Sequence, residues 1–451
     1  MAENDGRLPI PCEPLASLPS VRGAERVTLS LPIRWNGSDL SRFCFVHAAD
    51  LHLGTRFHGL AMRDEEMARH FAAATRRALE RLVDKTIERQ ASFLLIAGDI
   101  YDGEWRDAAA GLHFAAQMAR LDRAGIKVVT LRGNHDAASV VRGRITLPDN
   151  VVELATARPQ TIEMDELRVA VHGQGFADRS CAENLATRYP SPKAGFFNIG
   201  LLHTSLDGRP GHGSYAPCTP VDLEARGYDY WALGHIHEFE VVRRSDPMIV
   251  YPGNLQGRSI REKGPKGAVL ITVEDGRIVG EPERLLVDAG QFAEVQLSID
   301  GIEEMHDLWL ALSELCAHEP AAVEGALHAM RIVLTGQGPL HGPLVAMGNT
   351  ERVAEAQAAA DRKRGDVRIE KVKLRTRPSA RPAADNEDMA SLDDHLSAVA
   401  EDPAVKERLR AALEQIGARM TAGVGQFSEQ DVEALLLEGL ATAQQRVDRG
   451  D

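Results

Sequence analysis

The sequence predicts a layered α/β fold, followed by a small α+β cap domain and a helical tail. Short apolar runs bounded by glycine and polar residues occur at 43–46, 93–97 and 128–131, and such runs are typical of buried strands. Helical patterns at 64–89 and 108–124 separate these runs. Units of this βα type predict parallel strands joined by right-handed crossovers.

The later part of the chain changes pattern twice. Residues 267–288 alternate between apolar and polar side chains around Asp275-Gly276, which predicts a hairpin. After it, a strand–helix–strand–helix–strand pattern fills the segments 295–299, 301–317, 331–336, 350–361 and 367–374. We therefore predict a catalytic domain over 41–290, an α+β cap domain over 291–377, a linker over 378–387 and an acidic helical tail over 388–451.

Composition limits the class of protein. The 451 residues are enough for two domains with additional tails. Five scattered cysteines form no CxxC pair, and their odd number favours a reduced, cytoplasmic protein. No apolar run reaches 18 residues, so we expect no membrane span. Residues 1–40 lack the apolar core of a signal peptide, and we interpret them as a disordered extension or as the result of a start codon placed too early.

Five apolar runs each end at residues that commonly bind metal ions. HAADLH, GDIYD, GNHD and GHIH follow four of them, and His203 follows the fifth. Each motif alone also fits an ordinary turn or a buried polar side chain. Together they predict a metal centre, because ligands gather beyond the carboxyl ends of strands in such folds. The candidate ligands are Asp50, His52, Asp99, Asn134, His203, His235 and His237.

Seven ligands are too many for one ion and suit two ions that share a carboxylate. Mixed carboxylate, imidazole and amide ligands favour Mn, with Mg or Fe as alternatives. Two ions roughly 3.5–4 Å apart clamp a phosphodiester and activate a water molecule. The bridging group is expected to be Asp99, because the two oxygens of a carboxylate can serve two cations.

The motifs, in this order, resemble those of the calcineurin-like metallophosphoesterase superfamily. The stretch HTSLDGRPGHGSYAP before ALGHIH and the stretch YPGNLQGRSIREKGPKG after it are similar to bacterial SbcD/YhaO-like DNA repair exonucleases. The resemblance covers 41–290 strongly and 291–380 weakly, and it implies a β-sandwich flanked by helices. It also implies that one ion is held by Asp50, His52, Asp99 and His237, and the other by Asp99, Asn134, His203 and His235.

The resemblance places His135, in GNHD, beside the scissile phosphate, where it is suited to donate a proton to the leaving oxygen. Some eukaryotic-archaeal relatives carry a histidine three residues after the bridging aspartate, whereas this chain has Asp102. In the phosphatase branch an aspartate at that position orients the GNH histidine, so we predict that Asp102 orients His135. The alternative is that Asp102 only closes a turn.

Charge is unevenly distributed along the chain. The net charge of −14 is unusual for a nuclease, since DNA affinity depends largely on lysine and arginine. Residues 361–382 nevertheless carry nine basic and three acidic side chains, a net of +6, whereas 383–451 carry six basic and fifteen acidic ones, a net of −9. The basic stretch either follows a phosphate backbone or is a solvated strand and linker.

The acidic tail has an apolar helical face, which either folds back on the cap domain or docks on another protein. The resemblance implies that this partner is an SbcC-like coiled-coil ATPase. The sequence leaves open whether the chain forms a homodimer.

Further candidates for substrate binding lie on loops near the motifs, and for each of them a plain solvent-exposed role is the alternative. They are His212, Tyr215, Arg258, Arg261 and Lys263. The function predicted is a metal-dependent DNA exonuclease in DNA repair. The alternatives are a small-molecule phosphodiesterase or phosphatase, and a non-catalytic scaffold for an SbcC-like ATPase.

Overall fold

The computed structural model describes residues 42–55, 65–102, 108–137, 145–206, 215–319, 325–379, 398–399, 402–419, 435–436 and 439. The predicted extension over 1–40, the linker beyond residue 379 and most of the acidic tail lie outside these residues.

Sixteen strands occur in the described residues. They are β1 (Phe43–Ala48), β2 (Phe93–Ile96), β3 (Lys127–Thr130), β4 (Val151–Glu153), β5 (Gln160–Met164), β6 (Val169–Gly173), β7 (Phe197–His203), β8 (Tyr230–Gly234), β9 (Glu240–Arg243), β10 (Met248–Tyr251), β11 (Gly267–Glu274), β12 (Arg277–Ile278), β13 (Glu283–Leu286), β14 (Gly290–Ser298), β15 (Leu327–Gln337) and β16 (Val367–Arg377).

Eight α-helices and one short 3-10 turn (Leu185–Arg188) connect or follow these strands in the described part of the chain. The helices are α1 (Glu65–Glu88), α2 (Ala108–Arg123), α3 (Asn134–Ala137), α4 (Pro220–Glu224), α5 (Met305–His318), α6 (His341–Ala346), α7 (Asn349–Asp361) and α8 (Pro403–Arg419).

The first sheet contains the strands predicted from the first three apolar runs. Its order is β12-β11-β1-β2-β3-β4, with β13 also paired to β11, and β1 to β4 are parallel. The predicted hairpin is present, since Val273 of β11 pairs with Ile278 of β12 around Asp275-Gly276. Both turn residues have positive φ, which asparagine, aspartate and glycine tolerate best in such turns.

The second sheet has the order β5-β6-β7-β8-β10-β9, with β6, β7, β8 and β10 parallel. It packs on the first sheet face to face, because Phe45 and Leu95 of one sheet share an apolar core with Ile199 and Tyr230 of the other. The outward-facing residues of the first sheet pack on α1 and α2. The α/β-sandwich flanked by helices is therefore confirmed.

The cap domain is a parallel sheet of order β14-β15-β16 with helices on one face. Residues of α5, α6 and α7, such as Leu312, Leu344 and Ala359, share its apolar core with Ile332 and Val372. Helices on one face are expected for successive crossovers between parallel strands. The other face of this sheet therefore carries the side chains that alternate with the core residues along each strand.

The start of α1 joins the catalytic and cap domains. Phe71 of α1 packs on Phe292 of β14, with ring centroids 4.7 Å apart, in a cluster that also contains Met67 and Ala329. The ring of His70 contacts the carbonyl of Ala289 at 2.8 Å. Among the described helices, none combines the length and apolarity needed to cross a bilayer.

Candidate dinuclear metal centre

The five motifs meet at one end of the sandwich, because each follows the carboxyl end of a strand. The loops after β1, β2 and β3 come from the first sheet, and those after β7 and β8 come from the second. Main-chain hydrogen bonds hold the loops together: the N–H of Asp50 donates to Gly98 and the N–H of His52 donates to Asp99. The ends of two packed sheets therefore converge on one site.

The backbone at the site adopts an unusual conformation. Nine non-glycine residues of the described chain have positive φ, and four of them are the candidate ligands Asp50, His52, Asp99 and His235. Such conformations are uncommon outside glycine and concentrate at functional sites. The chain thus turns sharply at each strand end and directs the side chains towards a common centre.

Glycines in the motifs leave room for the ligands. A Cβ on Gly133 would lie 2.2 Å from Oδ1 of Asp99, and one on Gly98 would lie 2.6 Å from Nδ1 of His203. Neither approach is sterically possible without displacing a candidate ligand. The glycines of GDIYD and GNHD are therefore required by the packing of the site.

One part of the centre, which we call the His203 half-site, consists of Asn134, His203 and His235 together with Asp99. The Nδ1 of buried His203 lies 2.9 Å from the carbonyl of Ala97, which can only accept, so the proton of the neutral ring is on Nδ1. Its Nε2 then presents a lone pair, 3.0 Å from Oδ1 of Asn134 and 3.5 Å from Oδ2 of Asp99. Three electron-pair donors facing one another fit a shared cation. The ring of His235 lies 5.2 Å from that of His203.

The other part, the His237 half-site, consists of Asp50, His52 and His237 together with Asp99. The Nε2 atoms of His52 and His237 lie 3.1 Å apart. Burial, followed by the charge of Arg258, lowers the pKa of His52 to about 3, and burial also lowers the pKa of His237. Both rings are therefore neutral and able to offer a lone pair to a metal ion.

Asp99 lies between the two half-sites, and one of its oxygens, Oδ2, faces both. Its Oδ2 is 3.5 Å from Nε2 of His203 and 4.0 Å from Nε2 of His52. Its Oδ1 instead accepts a hydrogen bond from the N–H of His135 at 2.9 Å. Oδ2 thus faces both half-sites while Oδ1 is bonded to the main chain of GNHD, and the bridging role of Asp99 stays a prediction.

Asp50 shows that a positive charge fits this site. Its Oδ2 accepts from the N–H of His235 at 2.9 Å, while in the described part of the chain no donor reaches its buried Oδ1. Burial and the neighbouring Asp99 raise the pKa of Asp50. Two neighbouring buried carboxylates are stabilised in their ionised form when a cation lies between them. Ligand atoms of Asp50 group both with those of His52 and His237 and with those of Asp99 and His203.

His135 and Asp102 lie side by side at the edge of the centre. The Nδ1 of His135 is 3.3 Å from Oδ1 of Asp102, an ion-pair distance without the alignment of a hydrogen bond. Asp102 raises the pKa of His135. Burial works to raise the pKa of Asp102, but the contacts to His135 and His52 outweigh it and lower that pKa. The structure therefore brings the two predicted partners together, with Asp102 also 3.6 Å from Nδ1 of His52.

The loop candidates for substrate binding lie in different environments. Arg258 is in the wall of the site, 3.0 Å from Glu262 and 3.7 Å from Asp102. Tyr215 packs near His235, with ring centroids 5.1 Å apart. Arg261 is exposed, and Lys263 pairs with Glu294 of the cap domain at 3.6 Å. His212 lies outside the described residues.

Two acidic residues at the site were not identified from the sequence. Asp136, the last residue of GNHD, accepts hydrogen bonds from the N–H groups of Ile100, Tyr101 and Gly133, and so ties the GNHD loop to the GDIYD loop. Glu262 contacts Nδ1 of His237 at 2.8 Å. The only sequence signal for Glu262 is its place in the REKG stretch that follows YPGN.

Comparisons with known proteins agree with this geometry. Residues 44–239 match the calcineurin-like phosphoesterase family, and residues 292–377 match the middle domain of metallophosphoesterase YhaO. The uncharacterized metallophosphoesterase YhaO of Bacillus subtilis is 37% identical over 248 residues, which cover 54% of this chain and 61% of that protein. The DNA double-strand break repair protein Mre11 of Methanopyrus kandleri is 27% identical over 214 residues, covering 42% of this chain and 44% of that protein.

The chain thus spans less than two thirds of the length of either relative. Among solved structures, a dimetal phosphatase from Danio rerio is 12% identical, covering 55% of this chain and 98% of its own, with a TM-score of 0.32. The groups of the site that could hold metal ions agree with the family match. The chain therefore contains a calcineurin-like phosphoesterase domain, followed by a domain of the type found in the middle of metallophosphoesterase YhaO.

Proposed function

We propose that this protein is a metal-dependent phosphodiesterase that cleaves DNA from its ends, with Mn as the preferred metal. The observation that supports hydrolysis most strongly is the convergence of lone-pair atoms on both sides of Oδ2 of Asp99. Asp50, His52 and His237 would hold one divalent ion, Asn134, His203 and His235 would hold the other, and Asp99 would contribute to both. When bound, the two ions would act as Lewis acids and would lower the pKa of a water molecule, so that it ionises near neutral pH.

His135 acts on the leaving oxygen. Its side chain is 29% exposed, so a substrate can reach it, and its Nδ1 faces Asp102. The opposite ring nitrogen, Nε2, then donates a proton or hydrogen bond to the oxygen that leaves the phosphorus. Asp102 supports this role because its carboxylate lies beside Nδ1 and stabilises the protonated form of the ring.

A basic strand face on the cap domain supports a polymeric substrate. Leu374 and Val372 of β16 pack in the cap core, so alternation places Lys371, Lys373, Arg375 and Arg377 on the sheet face opposite α5, α6 and α7. Their side chains recur about every 6.6 Å along the strand, which suits successive phosphates of one nucleic-acid strand. The relative from Methanopyrus kandleri bears the name of a DNA double-strand break repair protein.

Cleavage of end-labelled DNA by the purified chain, with Mn or Mg, tests the proposed activity. We expect Mn-dependent shortening from the ends. Hydrolysis of a small chromogenic phosphodiester without any cleavage of DNA would support a small-molecule phosphodiesterase instead. Absence of both activities in the metal-loaded chain would support the scaffold function.

The basic face is tested with a double variant and a matched control. Arg375→Ala/Arg377→Ala should weaken DNA binding and reduce the slope of log affinity against log salt by about 1.4–1.8, the value for two lost phosphate contacts. Arg362→Ala/Lys363→Ala removes the same charge at the end of α7, on the helix side of the cap. Equal effects of both variants would contradict a specific role for the strand face.

We further propose that the acidic tail docks on an SbcC-like ATPase. A chain that ends at Pro382 loses the acidic helices and keeps every candidate ligand. It should retain Mn-dependent cleavage of simple DNA ends but lose binding of the ATPase and any ATP-stimulated activity. A lower melting temperature with intact ATPase binding would show instead that the tail packs on the cap domain.

A further inference from the structure

Glu262 is the most heavily bonded side chain beside the metal centre. Its Oε1 lies 2.8 Å from Nδ1 of His237 and 3.0 Å from Nη2 of Arg258. Its Oε2 accepts from the amide of Asn254 at 2.9 Å and from the N–H of Arg258 at 2.8 Å. The side chain is only 14% exposed, so these contacts are largely shielded from water.

The contact with Glu262 determines which nitrogen of His237 carries the proton. A carboxylate can only accept, so Nδ1 of His237 donates to it. Arg258 also lies 3.1 Å from that Nδ1, but it finds its acceptor in the same carboxylate oxygen. Nε2 of His237 is then unprotonated and faces Nε2 of His52. Outer carboxylates of this kind orient the ring of a metal-binding histidine and raise its basicity.

Arg258 extends this contact to the acid–base pair. Its Nη1 lies 3.7 Å from Oδ1 of Asp102, which in turn is 3.3 Å from Nδ1 of His135. The guanidinium therefore lies between two carboxylates, one beside a candidate metal ligand and one beside His135. A fixed Arg258 keeps Asp102 in place on the His135 side.

The segment 256–264, which carries both residues, is anchored on the cap domain. Ile260 packs against the cluster of Met67, Phe71, Phe292 and Ala329. The N–H of Gly264 donates to the carbonyl of Phe292 at 3.0 Å, and Gln256 donates to the carbonyl of Gly290 at 2.5 Å. Glu262 thus approaches the metal centre from a segment whose position depends on β14.

From these contacts we propose that Glu262 is a positioning residue for the His237 half-site: it fixes the proton of His237 on Nδ1 and holds Arg258 against Asp102. This role rests on the two-ion site of the proposed function. It gives the cap domain a part in assembling the metal centre, because the cap fixes the segment that carries Glu262.

Titration of the metal-free protein with Mn²⁺, followed by calorimetry, tests this role. In Glu262→Ala we expect one of the two ions to bind roughly 10–100-fold more weakly, as for other outer-sphere partners, and the second ion to bind as in the wild type. Glu262→Gln keeps an oxygen that accepts from Nδ1 of His237 but loses the charge that pairs with Arg258, so it should recover only part of the affinity. Loss of fold would instead weaken both ions together.

Glu370→Ala is the matched control. Glu370 also pairs with an arginine, Arg331, at 2.9 Å and is 13% exposed, but it belongs to β16 of the cap domain and not to the segment 256–264. We expect it to leave both ions unchanged. If Glu262→Ala does not fold, the glutamine pair decides: Glu262→Gln should weaken one ion by a measurable factor and Glu370→Gln neither.

Two further outcomes separate this inference from the proposed function. If the wild type binds two ions and Glu262→Ala binds both with unchanged affinity, the positioning role is wrong and the two-ion site stands. If the wild type binds fewer than two ions, the proposed function is wrong, and the inference about Glu262 is wrong with it.

Discussion

His203 and His237 have corresponding places in the two half-sites, but different parts of the protein hold their rings. The Nδ1 of His203 donates to the main-chain carbonyl of Ala97, and the residue is fully buried. The Nδ1 of His237 donates to the side chain of Glu262, and the ring is 18% exposed. The main chain of the sandwich therefore fixes the His203 half-site, whereas a side-chain network fixes the His237 half-site.

The difference has a consequence for how each half-site responds to change. A backbone carbonyl inside a sheet edge cannot be removed by substitution, so His203 is held in place as long as the sandwich folds. A carboxylate can be removed by one substitution, and Glu262 sits on a segment anchored to the cap. We expect the His237 half-site to be the more sensitive one to distant changes.

Asp99→Ala should affect both half-sites, because Asp99 belongs to both. We expect loss of both ions and a fall in turnover beyond the roughly 10⁴-fold upper range for a single acid–base group. Elemental analysis and a DNA cleavage assay measure the two effects, with Asp165→Ala, at an 81% exposed aspartate, as control. Two ions retained in Asp99→Ala would contradict a bridging role.

His135→Ala separates chemistry from metal binding. Both ions and DNA affinity should remain, while turnover falls roughly 10²–10⁴-fold because the leaving oxygen loses its proton donor. Single-turnover rates at saturating Mn²⁺ provide the measurement. A variant that cleaves at a near-normal rate would rule out this role for His135.

Asp102→Asn tests the contacts of Asp102 with His135 and with Arg258. The amide keeps the size of the side chain but loses the charge that pairs with His135 and Arg258. We expect a loss of turnover of about 10–100-fold, smaller than that of His135→Ala, with both ions present. In His135→Ala/Asp102→Asn the second substitution should have almost no added effect, and an additive loss would show that Asp102 acts elsewhere.

Ile260→Ala tests how the segment 256–264 is anchored on the cap domain. Its effect should be smaller than those of the other substitutions. The substitution thins the apolar cluster at the junction and leaves every charged group of the site in place. The ion of the His237 half-site should bind less tightly by under about 10-fold, less than in Glu262→Ala. Leu310→Ala, at an exposed position of α5, is the control. Equal weakening of both ions would contradict the separation of the half-sites.

Much of the fold and the ligand set follows from local sequence pattern. The apolar runs and the helical spacing predict β1, β2, β3, α1 and α2 because their periodicity is set by neighbours in the chain. The same reasoning brings Asp50, Asp99 and Asn134 together, since they follow β1, β2 and β3, which are neighbouring parallel strands of one sheet. Strands β5 (QTIEM) and β9 (EVVR) mix polar with apolar side chains and lack a continuous apolar run, and GNHD conceals the short helix α3.

The side-chain network was less accessible from sequence, because its partners are distant in the chain. Glu262 meets His237 from 25 positions away, and Arg258 meets Asp102 from more than a hundred. A charged residue in a glycine-rich loop has the same local pattern whether it faces solvent, a phosphate or a carboxylate. Contact of Arg258 with DNA stays a prediction, and its two carboxylate neighbours are what the structure adds.

Electron paramagnetic resonance of the Mn²⁺-loaded wild type distinguishes a bridged pair of ions from two separate ions. Two ions that share one carboxylate oxygen interact magnetically, whereas isolated Mn²⁺ ions give a simple six-line spectrum. The single oxygen of Asp99 that faces both half-sites predicts two ions per chain with the spectrum of a coupled pair. One ion per chain, or two with the spectrum of isolated ions, would contradict a bridged dinuclear centre.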